Sequence, residues 1–332
     1  MPVYNGEKYI AESVKSVLGQ TYKDFELIII NDCSTDKTLE VLSRFNDDNI
    51  TVINNENNIG SAASRTKAIK SSSSKYIAIL DADDIAYPNR LEKQVKFLNK
   101  NADFGMVATW VKIIDEKGKA TGTILKDKTS TEKIPATLLF HNIFACSSVM
   151  LRRSALPEIP FRQETMPVED VDLWFRMISA GSKFHIIREI LTEYRAHGKG
   201  ISKIHSERRR EMMNNLTRQE LAKLGITPSD NELMIHRTNF HYTGDNLENF
   251  LKEREDWLIK LKKHNDKNTV YPIRIFNEVI AEKFFDSFRS NCRPLGLRAW
   301  KIFWKSGLSK NLNWRDNWQN IFKFLLKCLL KR

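Results

Sequence analysis

Short apolar runs alternate with helix-patterned segments over residues 1–115. "FELIIIND" (Phe25–Asp32) is continuously apolar and then turns polar; "STDKTLEVLSRF" follows, with capping candidates and apolar residues at helical spacing. "ITVINN" predicts a short strand, "SAASRTKAIKSS" a helix, and "KYIAILDADD" a strand ending in acids. Pro88 opens the helix "PNRLEKQVKFLNK", where proline suits a first turn, and "FGMVATWVKII" predicts another strand. Apolar strands alternating with helices imply βαβ units and a mostly parallel sheet flanked by helices, an α/β Rossmann-like class. Beyond it, "CSSVMLRR" (Cys146–Arg153) is strand-like, "VEDVDLWFRMISAG" is a helix stopped by Gly181, and "FHIIREILTEYRAH" is extended. From about Ser202 the pattern becomes mainly helical, with Ser229 and Glu232 as a capping box.

The chain opens "MPVYNGEKYI". Val3 and Tyr4 resemble the end of a buried strand and Asn5-Gly6 the turn after it, yet almost no strand precedes them. A strand inside the sheet should be longer, so Met1 is expected to be an internal residue of the native protein.

Ligands of an open parallel sheet bind beyond the carboxyl ends of its strands. Two strands here end in acids, one at Asn31-Asp32 and one at Asp81-Ala82-Asp83-Asp84. Three carboxylates within four residues repel one another. A plain reading has Asp83 and Asp84 capping the next helix. The chemical reading is a divalent cation, Mg²⁺ or Mn²⁺, completing its shell with water and substrate phosphates. That points to a nucleoside-diphosphate ligand.

Four ordered stretches, "PVYNGEKYI", "NDCSTDKT", "ILDADD" and "EDVDLWFR", resemble the family 2 glycosyltransferases of GT-A fold; "YRAHGKGIS" (Tyr194–Ser202) is a looser fifth match. The resemblance covers about 200 residues and implies inverting transfer of a sugar from a UDP-sugar. It implies that Pro2, Val3, Tyr4 and Asp32 line the nucleobase and that Arg65 sits near the nucleotide. Asp81, with Ala82 beside it, would approach the ribose or a metal, Asp83 would bind the metal, and His197 would approach the metal or diphosphate. Cys33 stands where the family has Gly, a departure expected to change only packing. The reaction also needs a base facing the attacking hydroxyl. "EDVDLWFR" offers Glu169, Asp170 and Asp172, and the resemblance names Asp170. These acids could instead merely complement a helix N-terminus. Trp174 and Arg176 are expected to pack and orient this helix, with Glu169 in support.

Composition changes the picture in one place. Hydrophobic residues make up 41% and charged residues 28%, ordinary for a folded protein. Cys33, Cys146, Cys292 and Cys328 show no zinc or disulfide spacing and suit a reducing cytosol. No run of about 18 apolar residues would span a bilayer. The net charge of +12 is concentrated in Arg289–Arg332, with eleven Lys or Arg and one acid, Asp316. In "DNWQNIFKFLLKCLLKR", Gln319, Lys323, Lys327 and Lys331 fall at i, i+4 spacing. Trp318, Ile321, Phe322, Leu325, Leu326, Leu329 and Leu330 form the other face. Such a helix lies in a membrane interface or docks on its own domain; no RNA-recognition motif accompanies the charge, so no nucleic acid is expected.

The expected division is a catalytic domain over 1–202, a helical region over 203–290 and a basic aromatic tail over 291–332. With the tail, the resemblance implies a cytoplasmic enzyme, peripheral on the inner face of the membrane and acting on an undecaprenyl-diphosphate-linked glycan for O-antigen or similar polysaccharide. The rivals are a sugar nucleotidyltransferase, for which no Gly-rich phosphate loop is present, and a non-catalytic nucleotide-binding assembly subunit.

Overall fold

The apolar run after Phe25 becomes a strand buried along its whole length, β2 (Leu27–Asn31). It lies between β1 (Pro2–Val3) and β3 (Ile50–Asn54) in a parallel three-stranded sheet, with Val3 opposite Asn31 and Ile29 opposite Val52. The computed structural model describes residues 1–197, 206–238, 242 and 246–330, of Asp316 the backbone alone. Residues 198–202 of "YRAHGKGIS", the expected boundary at 202–203 and Lys331 lie outside these.

Helix α1 (Ile10–Leu18) buries Ile10 and Val14 against Leu27, Ile29 and Leu42 of α2 (Thr38–Leu42). Each such side chain contributes about 1.5–3 kcal/mol by leaving water. Helix α3 (Ser61–Lys70) follows β3. The second sheet is mixed. It orders β4 (Tyr76–Ala78), β8 (Met150–Arg152), β6 (Phe104–Ile114), β9 (Lys183–Arg195) and β5 (Ile85–Ala86), with β7 (Ala120–Leu125) on β6. Among the described residues only β6 and β9 run parallel within it, and the parallel character read from the alternation is found there in that pair and in β1–β3.

Two local expectations shift. Helix α4 (Arg90–Lys100) begins after Asn89, so Pro88 stands just ahead of it and its carbonyl accepts the Thr21 N–H. Cys146–Ser148 is a 3₁₀ turn and the strand starts at Met150, and the Val149 and Ser148 carbonyls accept from Arg90 and Gln94 of α4. Gly181 ends α6 (Glu169–Ser179) with φ 87°, a left-handed conformation that suits glycine.

The chain forms two units, one of residues 1–131 and 143–213, the other of 132–142 and 214–332. This differs from the three-part reading. A short helix, α5 (Ile134–Leu138), joins the second unit from mid-chain, and the first division falls inside α7 (Ser206–Lys223). The second unit adds α8 (Asp230–Arg237), capped by the Ser229/Glu232 box, then α9 (Leu247–Asn268) and α10 (Ile273–Asn291). The basic stretch forms α11 (Leu297–Lys305) and α12 (Trp314–Leu330), whose Phe303 and Phe324 share one core with Phe284, Phe285 and Phe288 of α10.

Candidate active site

Tertiary contacts hold the acid-bearing loop after β4 on three sides. From α4, the buried Arg90 guanidinium donates to the Ile79 carbonyl at 2.8 Å, two residues before Asp81. The Asp81 N–H donates to Ser147 Oγ at 3.1 Å. From α1, Ser13 Oγ donates to the Ala82 carbonyl at 2.8 Å. The end of β9 closes the loop. Arg195 donates its backbone N–H to Asp84 Oδ1 at 2.8 Å and its Nε to the Asp83 carbonyl at 2.9 Å. Its guanidinium also pairs with Glu12 at 2.6 Å and lies over the Tyr9 ring at 4.6 Å. Two residues on, His197 Nε2 sits 2.7 Å from Asp83 Oδ2. Two of the expected metal-side residues, 114 positions apart, are therefore in contact.

Asp84, which the plain reading of the sequence paired with Asp83 as a helix cap, does something else. It is fully buried and ties the loop to β9, and among the described residues its Oδ2 has no hydrogen-bond partner. Burial, then repulsion from Asp83 and Asp81, pushes its carboxyl far above the usual range. Asp83 is raised for similar reasons, burial first and Asp81 second, with the His197 contact opposing. The loop thus holds surplus negative charge that it would shed by protonation or by a cation. Among the described residues no three His, Cys, Asp or Glu side chains converge into a cage. Asp83 and His197 offer two donors, which fits a Mg²⁺ or Mn²⁺ that takes its other ligands from phosphate and water. The third expected ligand, Asp81, already pairs with Arg65.

Arg65, from α3, is buried and makes two ion pairs, with Asp81 at 2.7 Å and with Glu169 at 2.6 Å. Glu169 opens α6, and Asp170 follows it, its Oδ1 accepting the Val171 N–H at 2.8 Å. Burial first, then the Glu169 charge, raises the Asp170 carboxyl to about 6, with Arg65 and Arg209 opposing. A carboxyl titrating there is ionised at neutral pH and still basic enough to take a proton. Asp172 is elsewhere engaged, by Arg162 and by Arg176 at 2.8 Å. Arg176 also donates to the Ile159 and Pro160 carbonyls, and Trp174 is wholly buried edge-on to Phe144 and Phe184. Both fasten α6 to its surroundings.

The expected nucleobase residues divide. Tyr4 is exposed, Pro2 half-buried and Val3 in the core. Asp32 is buried, with both oxygens occupied; Oδ1 accepts from Asn55 Nδ2 and the Ile59 N–H, and Oδ2 from the Gly60 N–H at 2.8 Å. It therefore shapes the 55–60 loop from within. Gly60 has φ 86°, a left-handed conformation that favours glycine, and it lies close against the Gln163 side chain. Cys33 has φ 62°. The exchange of Gly for Cys was expected to change only packing, but it places a side chain in the left-handed region, a backbone cost as well. Burial raises the Cys146 thiol well above its ordinary value, so it is no thiolate near neutrality. A cavity of about 460 Å³ lies between Ile28, Ile77, Leu91, Val95 and Met150, and Asp83, His197 and Asp170 do not line it.

Sequence reasoning missed Arg195, Ser147 and Asn55. A lone Arg, Ser or Asn signals nothing until the fold shows which backbone it holds.

Residues 1–159 match the profile described as Glycosyl transferase family 2. An uncharacterized glycosyltransferase of Methanocaldococcus jannaschii is 38% identical over 199 residues, spanning 59% of this chain and 69% of that protein. The chain belongs to glycosyltransferase family 2. An uncharacterized glycosyltransferase of Haemophilus influenzae is 32% identical over 238 residues, 67% of this chain and 73% of its own. Among solved structures, S. aureus TarS 1-349 in complex with UDP superposes with TM-score 0.53 at 19% identity, covering 96% of this chain and 89% of that one. The mannosyltransferase PcManGT from Pyrobaculum calidifontis, in complex with GDP-Man and Mn²⁺, gives TM-score 0.51 at 13% identity, covering 99% and 84%. At such identities these two establish the fold, which is that of GT-A enzymes with a helical C-terminal region.

Proposed function

We propose that this family 2 glycosyltransferase moves a hexose or N-acetylhexosamine from a UDP-sugar, with inversion, to a hydroxyl of a lipid-linked glycan. It would act as a peripheral enzyme at the cytoplasmic face of the membrane during cell-surface polysaccharide synthesis. The observation that carries the reading is the Arg65 bridge. One guanidinium ties Asp81 of the acid loop to Glu169, the neighbour of Asp170.

The roles follow from the surroundings. Asp170 takes the proton from the attacking hydroxyl, a contribution of about 10²–10⁴-fold. Arg65 pairs with Glu169 beside it and holds α6 to the acid loop. Asp83 and His197 would hold Mg²⁺ or Mn²⁺, which when bound stabilises charge on the departing diphosphate. Tyr4 offers an exposed ring for the base. TarS has been solved with UDP and with UDP-GlcNAc, and PcManGT with GDP-Man and Mn²⁺, which supports a nucleotide-sugar donor and a cation.

Asp170→Asn tests the core of the reading. Transfer should fall by about 10²-fold or more while UDP still raises the melting temperature in Mn²⁺. Transfer at the wild-type rate would remove Asp170 as the base, and a melting shift with GDP-sugars in place of UDP-sugars would overturn the donor.

A further inference from the structure

We infer that α12 presents a second, separate surface that inserts shallowly into an anionic lipid bilayer. The helix is docked by one face, with Ile321, Phe324 and Cys328 buried in the second unit's core. That docking corrects the apolar face read from the sequence, since Ile321 turns inward and Leu325 is half-buried. Along another side the i, i+4 line Trp314, Trp318, Phe322 and Leu326 runs on to Leu329 and Leu330, all exposed. Trp318 is 61% exposed, Phe322 57% and Leu330 66%. The Trp314 ring stacks on Trp304, with centroids 4.8 Å apart and planes at 19°, which fixes the start of the line.

Isolated exposed apolar residues need no explanation, but a continuous line of large ones marks a contact surface. Its occupant is indicated by charge. Arg315 and Lys323 are exposed one residue after Trp314 and Phe322, and on α11 Lys301 and Lys305 are exposed with Ile302. Arg298 is held by Glu248 at 2.8 Å. A second copy of this face would bring two sets of cations together, with Asp316 the one acid in Arg289–Arg332. Phospholipid headgroups of opposite sign match it, and Trp, Phe and Leu bordered by Lys and Arg suit the headgroup boundary. Among the described residues no helix is long and apolar enough to cross the membrane, so the contact lies in the interface.

This deepens the lipid-linked-acceptor reading and can be tested apart from it, by flotation of the full chain with phosphatidylcholine vesicles, with and without phosphatidylglycerol. The protein should float with anionic vesicles only and be released by salt. Trp318→Ser with Phe322→Ser, and separately Arg315→Glu with Lys323→Glu, should each lower partitioning about tenfold or more with unchanged melting. No flotation of the wild type, or wild-type flotation of both variants, overturns the inference. So does a dimer that the variants dissociate, if vesicle binding is absent. Full flotation with transfer only to soluble glycans would overturn the acceptor reading and support the surface.

Discussion

Arg65 and Glu169 form a buried ion pair at 2.6 Å although 104 residues separate them. Each side chain is nearly sealed from water, so losing Arg65 would leave the Glu169 charge buried without its ion-pair partner. The same guanidinium reaches Asp81 at 2.7 Å. The pair is thus the electrostatic link between the acid loop and the helix that carries Asp170.

Changes to the pair should move the pH profile in opposite directions. Glu169 raises the Asp170 carboxyl and Arg65 lowers it, around a value of about 6. Activity requires Asp170 ionised, so the acid limb of kcat/KM follows that value. Glu169→Gln should shift the limb down by about one unit and Arg65→Gln should shift it up by a similar amount. Arg65→Gln should also destabilise the fold by about 3 kcal/mol, since Glu169 is left buried and unpaired. Limbs that stay in place would show that this pair does not tune the base.

Asp170→Asn should stabilise the protein at neutral pH while abolishing transfer. A carboxyl raised to about 6 by burial keeps its proton in the fold after the unfolded chain has released it near 4. Between those values the unfolded state binds fewer protons, so stability falls as pH rises. Above about pH 7 the wild type bears the full cost, and the amide bears none. The gain in unfolding free energy should be about 1–2 kcal/mol at pH 8, reduced for partial solvent access, and should vanish below about pH 4. A gain independent of pH would mean that burial of the charge is not its source.

The Asp83–His197 contact predicts a cation-dependent phenotype. His197→Gln and Asp83→Asn should each raise the Mn²⁺ concentration needed for the UDP-induced melting shift by about 10–100-fold. Arg195→Lys should do the same more weakly. Arg195 is not itself an expected ligand, but its Nε holds the backbone carbonyl of Asp83, which is one, at 2.9 Å, and its fork spans to Glu12. An unchanged Mn²⁺ requirement in His197→Gln would remove that histidine from the site.

Much of this was legible in the chain. The apolar run through Ile28–Ile30 predicted a buried strand because only a fully covered strand can be apolar on both faces. The Ser229/Glu232 box announced its helix through local chemistry alone. Asp83 and Asp170 stood out by charge density and by the family resemblance. Long-range pairing was not legible. Nothing local in "YRAH" says that Arg195 will hold Asp83 while His197 meets its carboxylate, nor that Arg65 will meet Glu169. The inward turn of Ile321 was hidden for a related reason. Helical periodicity shows which residues share a face, and packing decides which of two apolar faces is covered.

Cys33 offers a test in which backbone and side chain can be separated. Its φ of 62° is left-handed, a conformation costing about 1–2 kcal/mol for a residue with a Cβ. Glycine removes that cost but gains freedom in the unfolded chain, about 0.4–1 kcal/mol against it. Cys33→Gly also gives up a long contact of Sγ to the Glu56 carbonyl at 3.5 Å. The strain is the larger quantity, so Cys33→Gly should raise stability by about 0.5–1 kcal/mol, read as a higher urea midpoint at unchanged slope. Cys33→Ala keeps the Cβ and loses the sulfur contact, and should be no more stable than the wild type. If alanine stabilises as much as glycine, the thiol and not the backbone is the source of the cost.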